Sequence, residues 1–513
     1  MVASATKDVL QGQDLTSVVL SFMPPSALPG CLPVSSLFLQ IGRPLLRASV
    51  FGRAAAMKCK ATLVLENQQN VISRVMIRRQ RNAVAALSSA VDGNGRLSLL
   101  GVSNGNPASS ELSLPYNRAV AGFDEAAKDQ SLLAIVTSRD VREEEGDESD
   151  SADLGYGAEL CVWKEGDVQA SATVPLERSE FLCGKNPFSS SSSSEDDPVL
   201  FKSRATHVWY DEGNRNPYLR TLVHNPSLAA EQQALLATYD CYGALVQDKC
   251  TLLSWGQEAE NIPPSPPSAA EAAATAKNRF GGVACASTFI DSSGALIATG
   301  HDRDAHDGVA RVRLWNAMDG ANLLTLDGPQ FPTRSFSTAG VTRVALSKNW
   351  IAIACVDGYA HLWHRGEASA PAAVATLSAT GALRPAAGSG GPLPAPKNKQ
   401  VVEALAVEGP FLVVAFAHGQ RVARESTVAL FRLEDAAGGD DGATEGKVTM
   451  CGHLPLKDAL QDREGKIKVT SVGMNLETCG KVVLACAFIP EEEESAPRGL
   501  VLTFDFLAPS VSS

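Results

Sequence analysis

Short apolar segments separated by turn-forming residues recur along most of the chain. Over residues 282–328, four mainly apolar segments alternate with breaks that are rich in Gly, Asp, Ser and Asn. These residue types form tight turns without strain, and short apolar or alternating segments between such turns are typical of β-strands. The pattern predicts strand, turn, strand, loop, strand, turn and strand, which together make a four-stranded antiparallel sheet.

The same pattern returns between Gly340 and Trp363, with an Asp357-Gly358 pair between two of its predicted strands. Asp-Gly favours a two-residue hairpin turn because both central positions of that turn need a positive φ. Reading outward from these regions gives about seven units, the first near residues 83–114. We therefore predict an all-β chain in which residues 58–508 form a β-propeller of about seven four-stranded blades. The first and third units are the weakest, so counts of six or eight also fit.

An aromatic residue ends the third predicted strand of six of these units, and in this the units resemble WD repeats. The resemblance implies that the aromatics pack between neighbouring sheets, so that they identify the fold and not a binding site. They are Trp163, Trp255, Trp315, Trp363, Phe431 and Phe504. The last unit has only three strands, so we expect residues 61–66 or residues 71–77 to supply its outer strand and close the ring.

Polar and acidic inserts interrupt the predicted strands. Their low hydrophobicity cannot offset the entropy of ordering them, so we expect solvated loops in the propeller. The inserts are residues 141–155, 189–198, 260–277, 384–400, 435–446 and 490–496. Serines beside carboxylates in the first two inserts could also be sites for an acid-directed kinase.

Residues 8–50 do not follow the strand pattern and carry the sharpest functional signal. Leu15, Val18, Val19 and Phe22 fall at helical spacing, and the pair Pro24-Pro25 ends that helix. Over Asp14–Phe38 the segment resembles an F-box without a gap. The residues that match the F-box pattern are Leu15, Val19, Leu20, Met23, Pro24, Leu28, Leu32, Val34 and Phe38.

The F-box resemblance implies a small helical module that docks on the Skp-type adaptor of a cullin-RING ubiquitin ligase. Pro29, Gly30 and Pro33 are expected to shorten or kink its second helix. Two other interpretations of residues 1–56 remain. The segment is rich in Ser, Ala and Leu with few acidic residues, which suits an organellar transit peptide, and it could equally be a helical lid on the propeller.

Composition limits the remaining function classes. A net charge of −12 over 513 residues argues against nucleic-acid binding, which depends on Lys and Arg neutralising phosphates. Eleven cysteines without a C-x-x-C pair indicate free thiols in a reducing compartment, hence the cytoplasm and/or the nucleus unless residues 1–56 direct import into an organelle. We expect no membrane partner, because no run of about 18 apolar residues occurs.

The sequence contains none of the common motifs for catalysis or nucleotide binding. The chain has no P-loop, no dinucleotide-type glycine pattern and no nucleophile elbow. His361 and His364 are three apart in a predicted strand, so they point to opposite faces and make a poor metal pair. We therefore predict no catalytic residues, no metal and no cofactor, and we expect that the chain is not an enzyme.

The sequence thus favours a substrate-recognition subunit of an E3 ligase of the Skp–cullin–F-box type. The N-terminal module would bind the adaptor, and the propeller would bind a substrate protein whose identity the sequence does not give. The alternative is a propeller scaffold for complex assembly without a ligase, in which residues 1–56 serve as a lid or a targeting peptide. An enzymatic propeller is the third and weakest hypothesis.

Overall fold

The computed structural model describes most of the predicted strands and one long helix. The described residues are 23, 36–55, 59–67, 71–78, 83–89, 95–101, 109–112, 118–125, 132–138, 158–164, 169–176, 202–210, 217–224, 234–240, 242–246, 250–253, 283–291, 294–303, 309–317, 320–330, 340–365, 373–383, 400–419, 425–434, 447–460, 464–491 and 496–508. All structural statements below concern these residues.

Helix α1 (Ser36–Ala55) precedes a succession of strands that begins with β1 (Lys60–Asn67). Blade 1 contains β2 (Val71–Ile77), β3 (Ala83–Ser89), β4 (Gly95–Gly101) and β5 (Ser109–Leu112). Blade 2 contains β6 (Arg118–Glu125), β7 (Leu132–Ser138), β8 (Ala158–Trp163) and β9 (Ala172–Pro175). Blade 3 contains β10 (Lys202–Tyr210), β11 (Pro217–His224), β12 (Ala234–Tyr239) and β13 (Thr251–Leu252).

The remaining strands form four more sheets. Blade 4 contains β14 (Val283–Asp291), β15 (Gly294–Arg303), β16 (Val309–Asn316) and β17 (Asn322–Gln330). Blade 5 contains β18 (Val341–Leu346), β19 (Trp350–Cys355), β20 (Ala360–His364), β21 (Ala375–Ser378) and a fifth strand, β22 (Gly381–Leu383). Blade 6 contains β23 (Val401–Glu408), β24 (Phe411–His418), β25 (Glu425–Glu434) and β26 (Lys447–His453). Blade 7 contains β27 (Gly465–Asn475), β28 (Lys481–Pro490) and β29 (Arg498–Asp505), with β1 as its fourth strand.

The seven antiparallel sheets form a closed ring, which confirms the predicted β-propeller. We call the strands of each blade a, b, c and d in the order of the sheet. Strand a of one blade lies against strand a of the next from blade 2 to blade 7, blade 1 contacts blade 2 through β4 and β6, and β2 lies against β27 where the ring closes. Side chains buried between neighbouring sheets form the core, as β24 illustrates with seven consecutive buried residues.

Strand β1 closes the ring by pairing with β29, from Lys60 opposite Asp505 to Asn67 opposite Gly499. Of the two segments considered for this role, residues 61–66 therefore supply the outer strand, and residues 71–77 form strand a of blade 1 instead. An ion pair across the closure joins Arg498 on β29 to Glu66 on β1 at 3.2 Å, and Lys481 on β28 pairs with Asp505 on β29 at 3.7 Å in the same sheet. The first and last strands of the propeller thus share the sheet of blade 7, and β1 covers the edge that β29 would otherwise expose.

The hairpin between β19 and β20 shows how local sequence sets a turn. Gly358 has a φ of +86°, a conformation that glycine adopts without the steric cost of a Cβ. The Asp357 carboxylate accepts a hydrogen bond from the Tyr359 N–H at 3.0 Å, which is the local bond that makes Asp a turn former. The Asp-Gly pair identified in the sequence therefore lies in this turn.

Antiparallel pairing places the connections of each blade at two opposite faces of the ring. The a–b and c–d turns lie at one face, which we call the a–b face. The b–c turns and the connections from each strand d to the next blade lie at the other, the b–c face. In blade 5 the additional strand β22 runs back toward the a–b face, so the connection to blade 6 crosses between the two faces.

Candidate protein-interaction site

Helix α1 packs on the a–b face at the boundary of blades 6 and 7. Leu46, Val50 and Ala54 recur every four residues along one side of the helix, and all three are buried. They belong to one apolar cluster with residues of both blades, including Phe411, the first residue of β24. The predicted module boundary at residue 50 therefore falls inside α1, at a residue that is buried against the propeller.

Phe51 strengthens the apolar contact from the side of the helix. Its ring stacks on that of Phe411 with centroids 4.5 Å apart, and the Arg432 guanidinium lies over its other side at 4.9 Å. Glycine is required where the helix ends, because a Cβ on Gly452 would come within 2.9 Å of the Ala54 carbonyl oxygen. The end of α1 thus approaches the backbone of β26 directly.

Charged groups hold the same helix at the turn between β27 and β28. Arg47 Nε donates to Glu477 Oε1 at 3.0 Å, and Arg53 donates to the Ala508 carbonyl. Beneath this contact, Glu408 Oε2 accepts a hydrogen bond from the Leu476 N–H at 2.7 Å. Burial raises the pKa of Glu408 to about 7; the Leu476 hydrogen bond and Arg43 oppose the rise, and the charge of Glu477 adds to it.

We expect Glu408→Gln to stabilise the protein at alkaline pH. A carboxyl group whose folded pKa is raised favours folding below its unfolded pKa of about 4.5, and this contribution is lost as the pH rises through about 7. Glutamine retains the acceptor for Leu476 without the charge. The free energy of unfolding of the variant should exceed that of the wild type by about 2 kcal/mol at pH 8 and should match it below pH 4.5. The difference at pH 8 is held to this size because the Glu408 side chain is partly accessible to solvent.

Urea unfolding of both proteins between pH 4 and pH 8 measures this difference. The expected result is a gap in the transition midpoint that widens with pH. If the urea midpoints of the two proteins instead change with pH in the same way, ionisation of Glu408 does not reduce the stability of the folded protein.

The F-box-like residues lie mostly outside the described residues. Met23 is described and is partly buried, and Phe38 lies in the first turn of α1. The others outside the described part are Leu15, Val19, Leu20, Pro24, Leu28, Leu32 and Val34. Helix α1 begins after Pro29, Gly30 and Pro33, and Leu46, Val50 and Ala54, which are buried against the propeller, follow Phe38.

The aromatics of the WD-type pattern lie on the third strand of their sheets. Trp163 ends β8, Trp315 and Trp363 each lie one residue before the end of β16 and β20, and Phe431 and Phe504 lie near the ends of β25 and β29. All five are at most 2% exposed, as their packing between sheets requires. Trp255 lies outside the described residues.

A buried hydrogen-bond chain in blade 4 was not evident from sequence. Trp315 Nε1 donates to Thr299 Oγ1 at 2.8 Å, and the same oxygen lies 2.8 Å from His301 Nε2. All three side chains are buried. The threonine and the histidine lie two positions apart on β15, so they share a face of that strand, but only the register with β16 shows that Trp315 reaches them.

Four of the six polar inserts join strand ends at the b–c face. Residues 141–155 and 490–496 lie within or beside b–c connections, and residues 189–198 and 260–277 join one blade to the next. Residues 435–446 instead lie between strands c and d of blade 6, and residues 384–400 follow β22. Apart from residues at their margins, the inserts lie outside the described part of the chain. The strand ends that flank the acidic inserts 141–155 and 490–496 thus lie at the b–c face.

The described part of the chain contains no helix with both the length and the apolar character that a membrane span needs.

Comparison with known proteins gives no match to a protein-family model and none to a curated protein. Solved structures give distant likenesses, each at 11% sequence identity. They are the structure of U3-55K (TM-score 0.44, covering 86% of this chain and 98% of that one), the computationally designed Ika8 protein (0.36, 86% and 99%) and the WD40 β-propeller domain of Doa1 (0.38, 86% and 96%). By their own strand pairing, the described residues form a closed β-propeller of seven blades.

Proposed function

We propose that this protein is an interaction scaffold that links a protein partner to a cullin-RING ubiquitin ligase. The propeller would bind the partner, and the segment before α1 would bind the Skp-type adaptor. The chain performs no chemistry in this proposal, since it acts by raising the effective concentration of the partner near a ligase bound elsewhere. The carrying observation is that Leu46, Val50 and Ala54, which anchor α1 to the propeller, are not among the residues that match the F-box pattern.

The separation of these two sets allows both contacts at once. Leu46, Val50 and Ala54 are buried against blades 6 and 7, whereas the F-box-like residues end at Phe38. An adaptor bound upstream of the docked part would not have to displace the helix from the propeller. Because α1 is held by apolar contacts and by Arg47 and Arg53, it would transmit a fixed orientation between adaptor and propeller.

The b–c face is the surface that we assign to the protein partner. It lies opposite α1, so a partner there would not compete with the adaptor. Runs such as Glu143-Glu144-Glu145 and Glu491–Glu494 connect strand ends at this face. Their negative charge favours a partner with a basic surface, because complementary charge speeds encounter and selects against like-charged proteins.

The second candidate is a scaffold without a ligase, in which α1 and its upstream segment serve only as a lid. The docking of α1 favours it, because a helix that buries an apolar side against two blades already has a structural role. In this case substitutions at the F-box-like positions would leave the partners of the protein unchanged.

Co-purification of the full-length protein separates the two candidates. We expect the intact chain to recover a Skp-type adaptor and a cullin, and we expect Leu20→Asp combined with Leu28→Asp to reduce that recovery at least tenfold. Ser49→Asp, on a partly exposed position of the docked helix, is the matched control and should retain the adaptor. If the intact chain recovers neither the adaptor nor the cullin, the ligase function is excluded and the scaffold without a ligase is the candidate that stands.

A further inference from the structure

Three metal-ligand side chains converge at the hairpin between β19 and β20 of blade 5. Cys355 ends β19, Asp357 lies in the turn, and His361 is the second residue of β20. One ligand atom from each lies within 4.8 Å of the other two. We name this group the hairpin cluster. In the sequence His361 stands out only beside His364, whereas the structure brings it together with a thiol and a carboxylate.

The cluster is buried but can be reached from solvent. Cys355 and His361 are 2% and 4% exposed, while the Asp357 side chain retains 16% of its surface. Because Asp357 lies in a b–c turn, this opening is on the b–c face. An ion could therefore reach the cluster without unfolding the blade, and would be shielded from bulk water once bound.

The distances suit a small divalent cation. Zinc binds sulfur at about 2.3 Å and nitrogen or oxygen at about 2.0–2.2 Å, so ligand atoms of one tetrahedral site are separated by roughly 3.3–3.8 Å. His361 Nε2 and Asp357 Oδ2 are 2.8 Å apart, and a rotation of the partly exposed carboxylate would open that distance. The hairpin fixes the backbone positions of all three residues, so little chain entropy would be lost on binding.

A second layer of hydrogen bonds orients two of the three ligands. His361 Nδ1 lies 3.3 Å from Thr376 Oγ1, and Asp357 Oδ1 accepts from the Tyr359 N–H at 3.0 Å. A metal ion between His361 Nε2 and Asp357 Oδ2 would replace the proton that joins these two atoms at 2.8 Å, and the ring proton on Nδ1 could then be donated to the threonine. Such outer contacts are characteristic of metal-binding histidines and carboxylates.

We propose that Cys355, Asp357 and His361 form a zinc site on the b–c face of blade 5. A thiolate and an imidazole select zinc over magnesium and calcium, which require oxygen ligands. Three protein ligands leave the fourth position of a tetrahedral ion for water or for a side chain of a bound protein. The site does not depend on the proposed ligase function, and it gives the b–c face a chemical group that a partner could recognise.

The competing explanation is that Asp357 and His361 form only a hydrogen-bonded pair that rigidifies the turn. Cobalt(II) distinguishes the two, because it replaces zinc and absorbs through thiolate-to-metal charge transfer when a cysteine binds it. The full-length protein, stripped with chelator, is titrated with cobalt(II) alone. We expect a charge-transfer band that saturates at one equivalent and is bleached by zinc.

Variants assign the ligands. Cys355→Ser should abolish the charge-transfer band, and His361→Gln and Asp357→Asn should each weaken cobalt binding at least tenfold. Cys486→Ser is the matched control, since Cys486 is likewise a buried thiol on strand b of its blade. Circular dichroism establishes that each variant is folded. If Cys355→Ser does not fold, the loss of cobalt binding in His361→Gln decides the question.

Three outcomes would overturn the proposal. The first is a wild-type protein that shows no saturable charge-transfer band, and the second is a band that persists unchanged in the folded His361→Gln variant. A band lost in Cys486→Ser but retained in Cys355→Ser would likewise place the thiolate elsewhere.

Discussion

Replacing Val64 with aspartate is expected to open the propeller at its closure. Val64 lies on β1 and is 7% exposed, within an apolar cluster that joins blade 7 to blade 1. A carboxylate there must be desolvated without a cation or must take up a proton, and either route costs stability. We expect a loss of about 4 kcal/mol or more in the free energy of unfolding. Urea unfolding and limited proteolysis between residues 55 and 71 measure it.

Thr62→Asp is the matched control for this substitution. Thr62 is exposed on the same strand, and its carbonyl remains available to Thr503, whose hydroxyl donates to it at 3.5 Å. The added charge is therefore the same, but it stays in water. If Val64→Asp and Thr62→Asp have the same urea midpoint, β1 does not contribute its buried face to the ring.

The second large effect is expected at Trp315 in blade 4. Trp315→Ala leaves a cavity between sheets and should lower the free energy of unfolding by about 3–5 kcal/mol. Trp315→Phe keeps most of the volume but removes the N–H that donates to Thr299 at 2.8 Å. That variant should still lose about 1–2 kcal/mol, because the buried Thr299 hydroxyl loses the hydrogen bond from Trp315.

Trp163 provides the comparison for the hydrogen-bond part of this effect. It is equally buried on the third strand of blade 2, but its Nε1 has no hydrogen-bond partner among the described residues. Trp163→Phe should therefore cost less than Trp315→Phe, as urea unfolding of both variants would show. Equal losses would mean that the chain from Trp315 to His301 does not stabilise blade 4.

The propeller could be predicted from sequence because each blade repeats a local pattern. Apolar segments of strand length, turn residues and aromatics such as Trp315 and Trp363 recur at the spacing of a blade. Except for β1 with β29, strand pairing within a blade is between neighbours in the chain. The fifth strand of blade 5 was not foreseen. β22 has three residues, Gly381–Leu383, and so short a segment carries no periodicity that a sequence could reveal.

Contacts between distant segments could not be predicted in the same way. The spacing of Leu46, Val50 and Ala54 does indicate a helix with one apolar side, but nothing in it names blades 6 and 7 as the surface that covers that side. The hairpin cluster is an intermediate case. Cys355 and His361 lie on the two strands of a hairpin that the Asp-Gly pair predicts. Side chains near a tight turn lie close together, so the sequence was sufficient to pair these two residues.

The closure by β1 sets an order of events during synthesis. Thr62 and Thr503, which meet in blade 7, are 441 positions apart. At about 5–20 residues per second, the ribosome needs roughly 20–90 s to make the chain between them. Throughout that time β1 has been made but its partner β29 has not, so a segment of strand-forming sequence waits without its native neighbour. Residues 60–67 of the nascent protein are therefore open to mispairing with other chains until β29 emerges, and a chaperone that holds these residues would act during that interval.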